Sequence, residues 1–309
     1  MPRYGFVMGT RSRMQANAWR PSFWARLFGA PVWTLRVVNG RIALESPHGV
    51  ASASVSERAA FVIEPAGVWS RISAPSLGLT ESLRGVGHRA VREFDAVVTE
   101  ERVGLDAVDT LQRVDGWWAE FQTQLGVAWA ARRWVSEEAI QTFDHARRQA
   151  IGDVGATSRL RSLAIAEQHT ALDVALSDDA VRARVSAQND ALVEAELRDE
   201  RAFFDTVEKA ALTDEQARAV VCFDNRVELI ASAGSGKTST IVAKAGWTIR
   251  KGIAKPNEIL LLAFNKKAAE EIAGRCSNRL GVAGIDATGL QANTFHSLWP
   301  SDHRRGDRP

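Results

Sequence analysis

ELIASAGSGKTS, residues 228–239, is the one stretch of this 309-residue chain whose spacing dictates a specific chemistry. An apolar run, Val227 to Ala231, leads into Gly234, Ser235, Gly236, Lys237 and Thr238, and helix-forming residues follow. The order predicts a strand, a phosphate-binding loop and a helix. Glycines let the backbone fold closely around an anion, and successive N–H groups at the helix N-terminus then face it. Lys237 adds positive charge toward the β- and γ-phosphates, and the Thr238 hydroxyl is placed to help hold Mg²⁺. Ala231 stands where the pattern usually opens with Gly, a change small enough to keep the loop. The plainer alternative is a Gly- and Ser-rich turn, and the strand and helix patterns on either side weigh against it.

Immediately upstream, Thr213 followed by Gln216 at the third helical position forms a capping-box pattern. An alternative role for Gln216 is to read an adenine edge, since its amide carries both donors and acceptors. Downstream, Thr238 to Lys251 reads as a helix stopped by Gly252. Ile259 to Phe264, ILLLAF, is a continuous apolar run suited to a strand buried on both faces of a parallel sheet. Asn265, Lys266 and Lys267 then fall at a strand end, where open α/β sheets place ligands. Ala268 to Leu280 reads as a helix and Gln291 to Leu298 as a strand ending in Thr294, Phe295, His296 and Ser297.

Toward the N-terminus the pattern changes twice. Residues 1 to about 30 are basic and aromatic, with Trp19, Phe23, Trp24 and Phe28, and predict a short amphipathic helix packed on a core. From Trp33, alternation on both sides of Asn39-Gly40 predicts a two-residue hairpin. Runs at Ala60 to Ile63, Val68 to Ile72 and Ser82 to Gly85 extend this to a small antiparallel module over about residues 30 to 90. His48 and His88 stand alone, as packing or surface residues do. Beyond Arg89 the period becomes helical, and Trp117, Trp118, Phe121, Leu125, Trp129 and Trp134 read as core more readily than as base-stacking residues. Gly152 and Gly155 mark a break, and two or three helices of mixed charge follow to Ala211.

Composition sets the limits: 45% hydrophobic and 25% charged residues are ordinary for a soluble globular chain, and a formal charge of +2 leaves any nucleic-acid partner to a local face. Cys222 and Cys276 lack a metal-ligand spacing and suit a reduced, cytoplasmic setting. No apolar segment approaches membrane-spanning length.

Four pieces in order, LTDEQARAV, ASAGSGKT, LLAFNKKAAEEI and NTFHSL, together resemble the superfamily 1A DNA helicases of the helicase IV type. The resemblance covers about residues 212 to 298. It implies ATP and Mg²⁺ as cofactors and single-stranded or partly duplex DNA as partner. Gln216 matches the adenine contact, and Ala233, Gly234, Ser235, Gly236, Lys237, Thr238 and Ser239 match the nucleotide loop, with Thr238 on the metal. Phe264 matches a base-stacking aromatic, Asn265, Lys266 and Lys267 the segment along the strand, and Thr294 and His296 a second DNA contact. Asn265-Lys266 differs from the Thr-Asn often found at that point in the family.

The expected architecture is an α/β P-loop (RecA-like) partial parallel sheet, preceded by a small antiparallel β module and a helical arm. The expected boundaries are 1–90, 91–211, an incomplete ATP-binding domain at 212–300 and an unrelated tail at 301–309. The family's later Asp-Glu strand and second motor domain have no match here, which predicts no complete catalytic set, negligible turnover by this chain alone, and an unpaired apolar sheet edge. A non-catalytic ATP- or DNA-binding module is the alternative, and an unrelated P-loop kinase or GTPase a third reading.

Overall fold

The computed structural model describes residues 17–152, 157–232 and 234–298. It is a mixed α/β protein with two antiparallel sheets, many helices and one short parallel pair, and it divides into two compact units. One unit holds residues 1–115 and 151–172, the other 116–150 and 173–309. The basic start of the chain up to residue 16, Gly155, Ala233 and the 301–309 tail lie outside the described residues.

In the first unit, β1 (Asn17–Trp19), β2 (Thr34–Val38), β3 (Arg41–Ser46) and β4 (Gly49–Ser54) form one antiparallel sheet in that order. The expected hairpin turn is present. Asn39 and Gly40 have φ of 50° and 72°, and Val38 pairs with Arg41. A second sheet holds β5 (Val62–Ala66), β6 (Trp69–Ala74) and β7 (Leu79–Gly87). Inward residues Leu35, Val37, Ile42 and Leu44 of the first sheet share a core with Ile72, Leu83 and Val86 of the second. Phe94 and Val98, from the start of the long helix α2 (His88–Ala130), close that core. The unit also contains α4 (Thr157–Leu163). Ala60 and Phe61 are not in a strand: residues 55–60 form a 3₁₀ turn capped by Ser54 and Glu57, and β5 begins at Val62.

The N-terminal aromatic segment departs from expectation. It does form a helix, α1 (Phe23–Leu27), but only Ala25 is buried. Ala25 fits against Gly85, where a Cβ would lie 2.7 Å from the Ala25 Cβ, and Ser22 N–H donates to the Gly85 carbonyl at 3.0 Å. A five-residue helix seated through its smallest side chain leaves its large ones outside.

The second unit is built on α3 (Glu137–Ile151), α6 (Ala180–Asp199), α7 (Arg201–Thr206), α8 (Asp214–Val221) and α9 (Lys237–Arg250), with α5 (His169–Leu176) at its margin. Trp117 stacks on Phe121 at 5.6 Å, and Phe121 meets Phe143 edge-on, so this part of the aromatic run is core. Trp129 is exposed. Phe203, Phe204, Val207, Val220, Val242, Trp247 and Leu280 form the core on which the C-terminal segment rests.

That segment contains β8 (Leu260–Ala263), α10 (Lys266–Arg275), a π turn over Cys276–Leu280, β9 (Gln291–Thr294) and α11 (Phe295–Leu298). β8 and β9 are parallel, with Leu260 opposite Gln291 and Ala263 opposite Thr294. Three strand expectations need correction. Val227 to Ala231 is not a strand, and Ile230 is 90% exposed. Ile259 to Phe264 is not buried on both faces, because Leu260, Leu262 and Phe264 are exposed. The strand at Gln291 ends at Thr294, where α11 begins. The reason is common to the first two. An apolar run is buried by neighbouring strands, and among the described residues β8 has β9 alone.

Candidate nucleotide and strand-binding site

α8 carries the first element. Thr213 caps it through a capping box: its Oγ1 accepts from Gln216 N–H at 3.3 Å, and Gln216 Oε1 accepts from Thr213 N–H at 3.0 Å. Gln216 Nε2 also donates to the Ser235 carbonyl at 2.9 Å. The capping reading is therefore realised, and the same side chain touches the glycine loop. One amide N–H and one acceptor lone pair remain after these bonds.

The loop closes tightly around this contact. Gly234 and Gly236 have φ of 80° and 86°, and a Cβ on Gly236 would lie 2.5 Å from Gln216 Nε2. The positive φ favours glycine there, and a Cβ would also push the Gln216 amide out of its contact with the loop. Lys237, the first residue of α9, donates through Nζ to the carbonyls of Ala231 and Ser232 at 2.7 and 2.8 Å. Ser235 Oγ donates to the Ser232 carbonyl at 2.7 Å. Thr238 and Ser239 are half-buried in the first turn of α9.

α8 and α9 are held in register by Lys244. Its Nζ donates to the carbonyls of Ala219 and Cys222 at the end of α8 and lies 4.4 Å from the Phe223 ring centre. Burial lowers its pKa. A lysine from the loop's own helix thus satisfies carbonyls that end the helix carrying Gln216.

A cleft of about 660 Å³ opens at the loop, lined by Gln216, Gly234, Ser235, Gly236 and Ser239 together with Glu208, Arg275 and Arg279. Arg275 Nη2 donates to Ser239 Oγ at 2.8 Å and to buried Glu208 at 3.0 Å. Cys276 beside it is buried, which pushes its thiol pKa up to about 11. A second cavity, about 480 Å³, lies at the other end of α9 around Trp134, Trp247 and Lys251. Its Lys251 is paired with Glu196 and Glu200 at 2.9 Å, a helix-joining ion network away from the loop.

The strand-contact candidates gather at one edge. Because β8 and β9 run parallel with Ala263 opposite Thr294, Phe264 to Lys267 and Thr294 to His296 leave the same end of the sheet. Phe264 is 94% exposed, with no core role. Asn265 caps α10, its Oδ1 accepting from Ala268 N–H at 2.8 Å. Lys266 and Lys267 are exposed. Thr294 Oγ1 accepts from Ser297 N–H at 3.3 Å, and His296 stands exposed on α11.

Residues 212–299 match the family model of the UvrD/REP helicase N-terminal domain. This segment is similar to the N-terminal portion of the superfamily 1A, UvrD-like helicases. The chain is 47% identical over 110 residues to DNA helicase IV of Escherichia coli, a match covering 36% of this chain and 15% of that protein. It is 36% identical over 87 residues to a probable DNA helicase II homolog of Rickettsia conorii, covering 28% and 13%. With the ATP-dependent DNA helicase SRS2 of Saccharomyces cerevisiae it shares 30% over 86 residues, covering 28% and 7%. The match thus spans 15% or less of the length of each of these curated relatives.

Around the glycine loop, sequence reasoning missed Glu208, Arg275 and Arg279. The available signal was positional. Arg275 ends a helix whose buried residues Ala269 and Ile272 lead to buried Cys276 just beyond it, and an arginine flanking such a stripe needs an acceptor. Its partner Glu208 is 67 residues away, beyond any spacing rule.

Proposed function

We propose that this chain is the ATP- and single-strand-binding portion of an ATP-dependent DNA helicase acting in the cytoplasm, with a RecA-like sheet begun by β8 and β9. The observation that carries the reading is Gln216, which reaches the loop at Ser235 while keeping one amide donor and one acceptor to present to a purine edge. That donor and acceptor suit adenine N7 and N6. In the bound state Lys237 exchanges its two carbonyl partners for phosphate oxygens. Thr238 would offer its hydroxyl to Mg²⁺, which would neutralise phosphate charge there. Phe264 stacks on a base, while Asn265 to Lys267, Thr294 and His296 follow the strand.

The arrangement of α10 supports communication between the two sites. Its start, at Asn265, faces the strand edge, and its end, at Arg275, bonds Ser239 beside the loop. Ten residues of helix, about 15 Å, join them.

Competition of ATP and GTP against a fluorescent adenine nucleotide tests this reading. ATP should be preferred at least tenfold. Gln216→Glu, which keeps an acceptor for Thr213 N–H but removes the amide donor, should erase most of that preference. Equal affinity for GTP, with no binding of single strands, would favour a GTPase- or kinase-like protein instead.

A further inference from the structure

Charge in this chain is unevenly placed. The first 87 residues contain ten Arg, four Glu, no Lys and no Asp, a formal +6, against +2 for the whole chain. No acidic residue precedes Glu45. Of these arginines, Arg36 pairs with Glu45 and Arg58 with Asp95, whereas Arg20, Arg26, Arg71 and Arg84 are exposed with no carboxylate partner among the described residues. Arg71 and Arg84 are register neighbours on β6 and β7, an unfavourable pairing of like charges unless an anion joins them.

Large aromatic rings on and beside α1 are exposed. Phe23, Trp24 and Phe28 are 74%, 62% and 77% exposed, with Leu27 and Arg26 between them also exposed. Phe28 approaches Trp69, at the start of β6, to 6.4 Å between ring centres. Trp69 and Arg71, two apart on β6, face the same side of the sheet and Arg84 lies opposite Arg71, so the Phe28–Trp69 contact and these guanidinium groups share one face. Contiguous exposed aromatic surface of this kind marks an interaction site.

We propose that this face of the N-terminal module docks single-stranded nucleic acid, separately from the strand edge at Phe264. Free ring faces accept bases of any sequence, while the arginines meet the phosphates. Duplex DNA offers phosphates but keeps its base faces stacked, so the rings select a single strand. A second copy of the chain is disfavoured as occupant, since two +6 modules repel. The inference goes beyond the ATP-dependent reading and stands whether or not the loop binds nucleotide.

The test is anisotropy of a fluorescein-labelled oligothymidylate with the full 309-residue chain, on a Phe264→Ala background that weakens the other contact. Phe23→Ala/Trp24→Ala/Phe28→Ala should lower the remaining affinity at least tenfold. Arg20→Glu/Arg26→Glu should reduce the slope of log K against log salt by about 1.4, since each phosphate contact on a single strand contributes roughly 0.7. All five positions are exposed, and an unchanged melting curve verifies folding. Wild-type affinity in both variants overturns the proposal. So does self-association of the parent chain that the triple variant abolishes, or binding to anionic vesicles without binding to the oligonucleotide.

Discussion

Phosphate release by the 309-residue chain, given ATP, Mg²⁺ and single-stranded DNA, is expected to stay at the background rate and to be indifferent to Lys237→Ala. Phosphoryl transfer depends on positioning and on charge stabilisation in the transition state, and a suitably placed arginine contributes about 10³ to 10⁵ in rate in related nucleotide hydrolases. Around the loop the arginines are Arg275 and Arg279, and Arg275 is already bonded to Glu208 and Ser239. Among the described residues no strand ends in the Asp-Glu pair that the helicase resemblance implies for orienting water. Steady-state phosphate release reads this directly. Robust turnover that Lys237→Ala removes would show that the chain's own residues form a complete catalytic set.

Nucleotide affinity is a separate matter, and Lys237→Ala is expected to weaken ATP binding substantially. Lys237 Nζ is held by two neutral carbonyls, Ala231 and Ser232, and no ion pair engages it among the described residues. Its charge is thus uncompensated and available to an anion. Hydrogen bonds to a charged group contribute about 1.5 to 3 kcal/mol, roughly 10- to 150-fold in affinity. The substitution leaves only loop carbonyls that water can reach, so the fold should persist. Titration with a fluorescent ATP analogue measures the loss, and a change below threefold would place the nucleotide somewhere other than this loop.

Local features of the chain were the most legible. Asn39-Gly40 demanded positive φ at two successive residues, and Thr213 with Gln216 met the donor and acceptor needs of one helix start. Such signals are complete within four residues. Burial was less legible. Ile259 to Phe264 has the apolarity of a doubly covered strand, but coverage is a property of neighbours, and β8 has one. The same holds for α1. Its sequence advertises an amphipathic helix, yet the seat at Gly85 admits only Ala25. In the candidate site, Gln216, Lys237 and Phe264 were visible through their motifs. Glu208 with Arg275 was not, because two charges far apart in sequence reveal their pairing only when the fold closes.

The central claim is that residues 212–298 present a strand-binding edge beside a nucleotide loop. Phe264 tests it most directly, since it is almost fully exposed at the shared end of β8 and β9 and contributes nothing to the core. The measurement is the equilibrium affinity of the chain for labelled oligothymidylate with and without Phe264→Ala. Loss of one stacked base is expected to weaken binding by about 1 to 3 kcal/mol, roughly 5- to 150-fold, with ATP affinity unchanged. Equal affinity of the two proteins for the oligonucleotide would contradict the account.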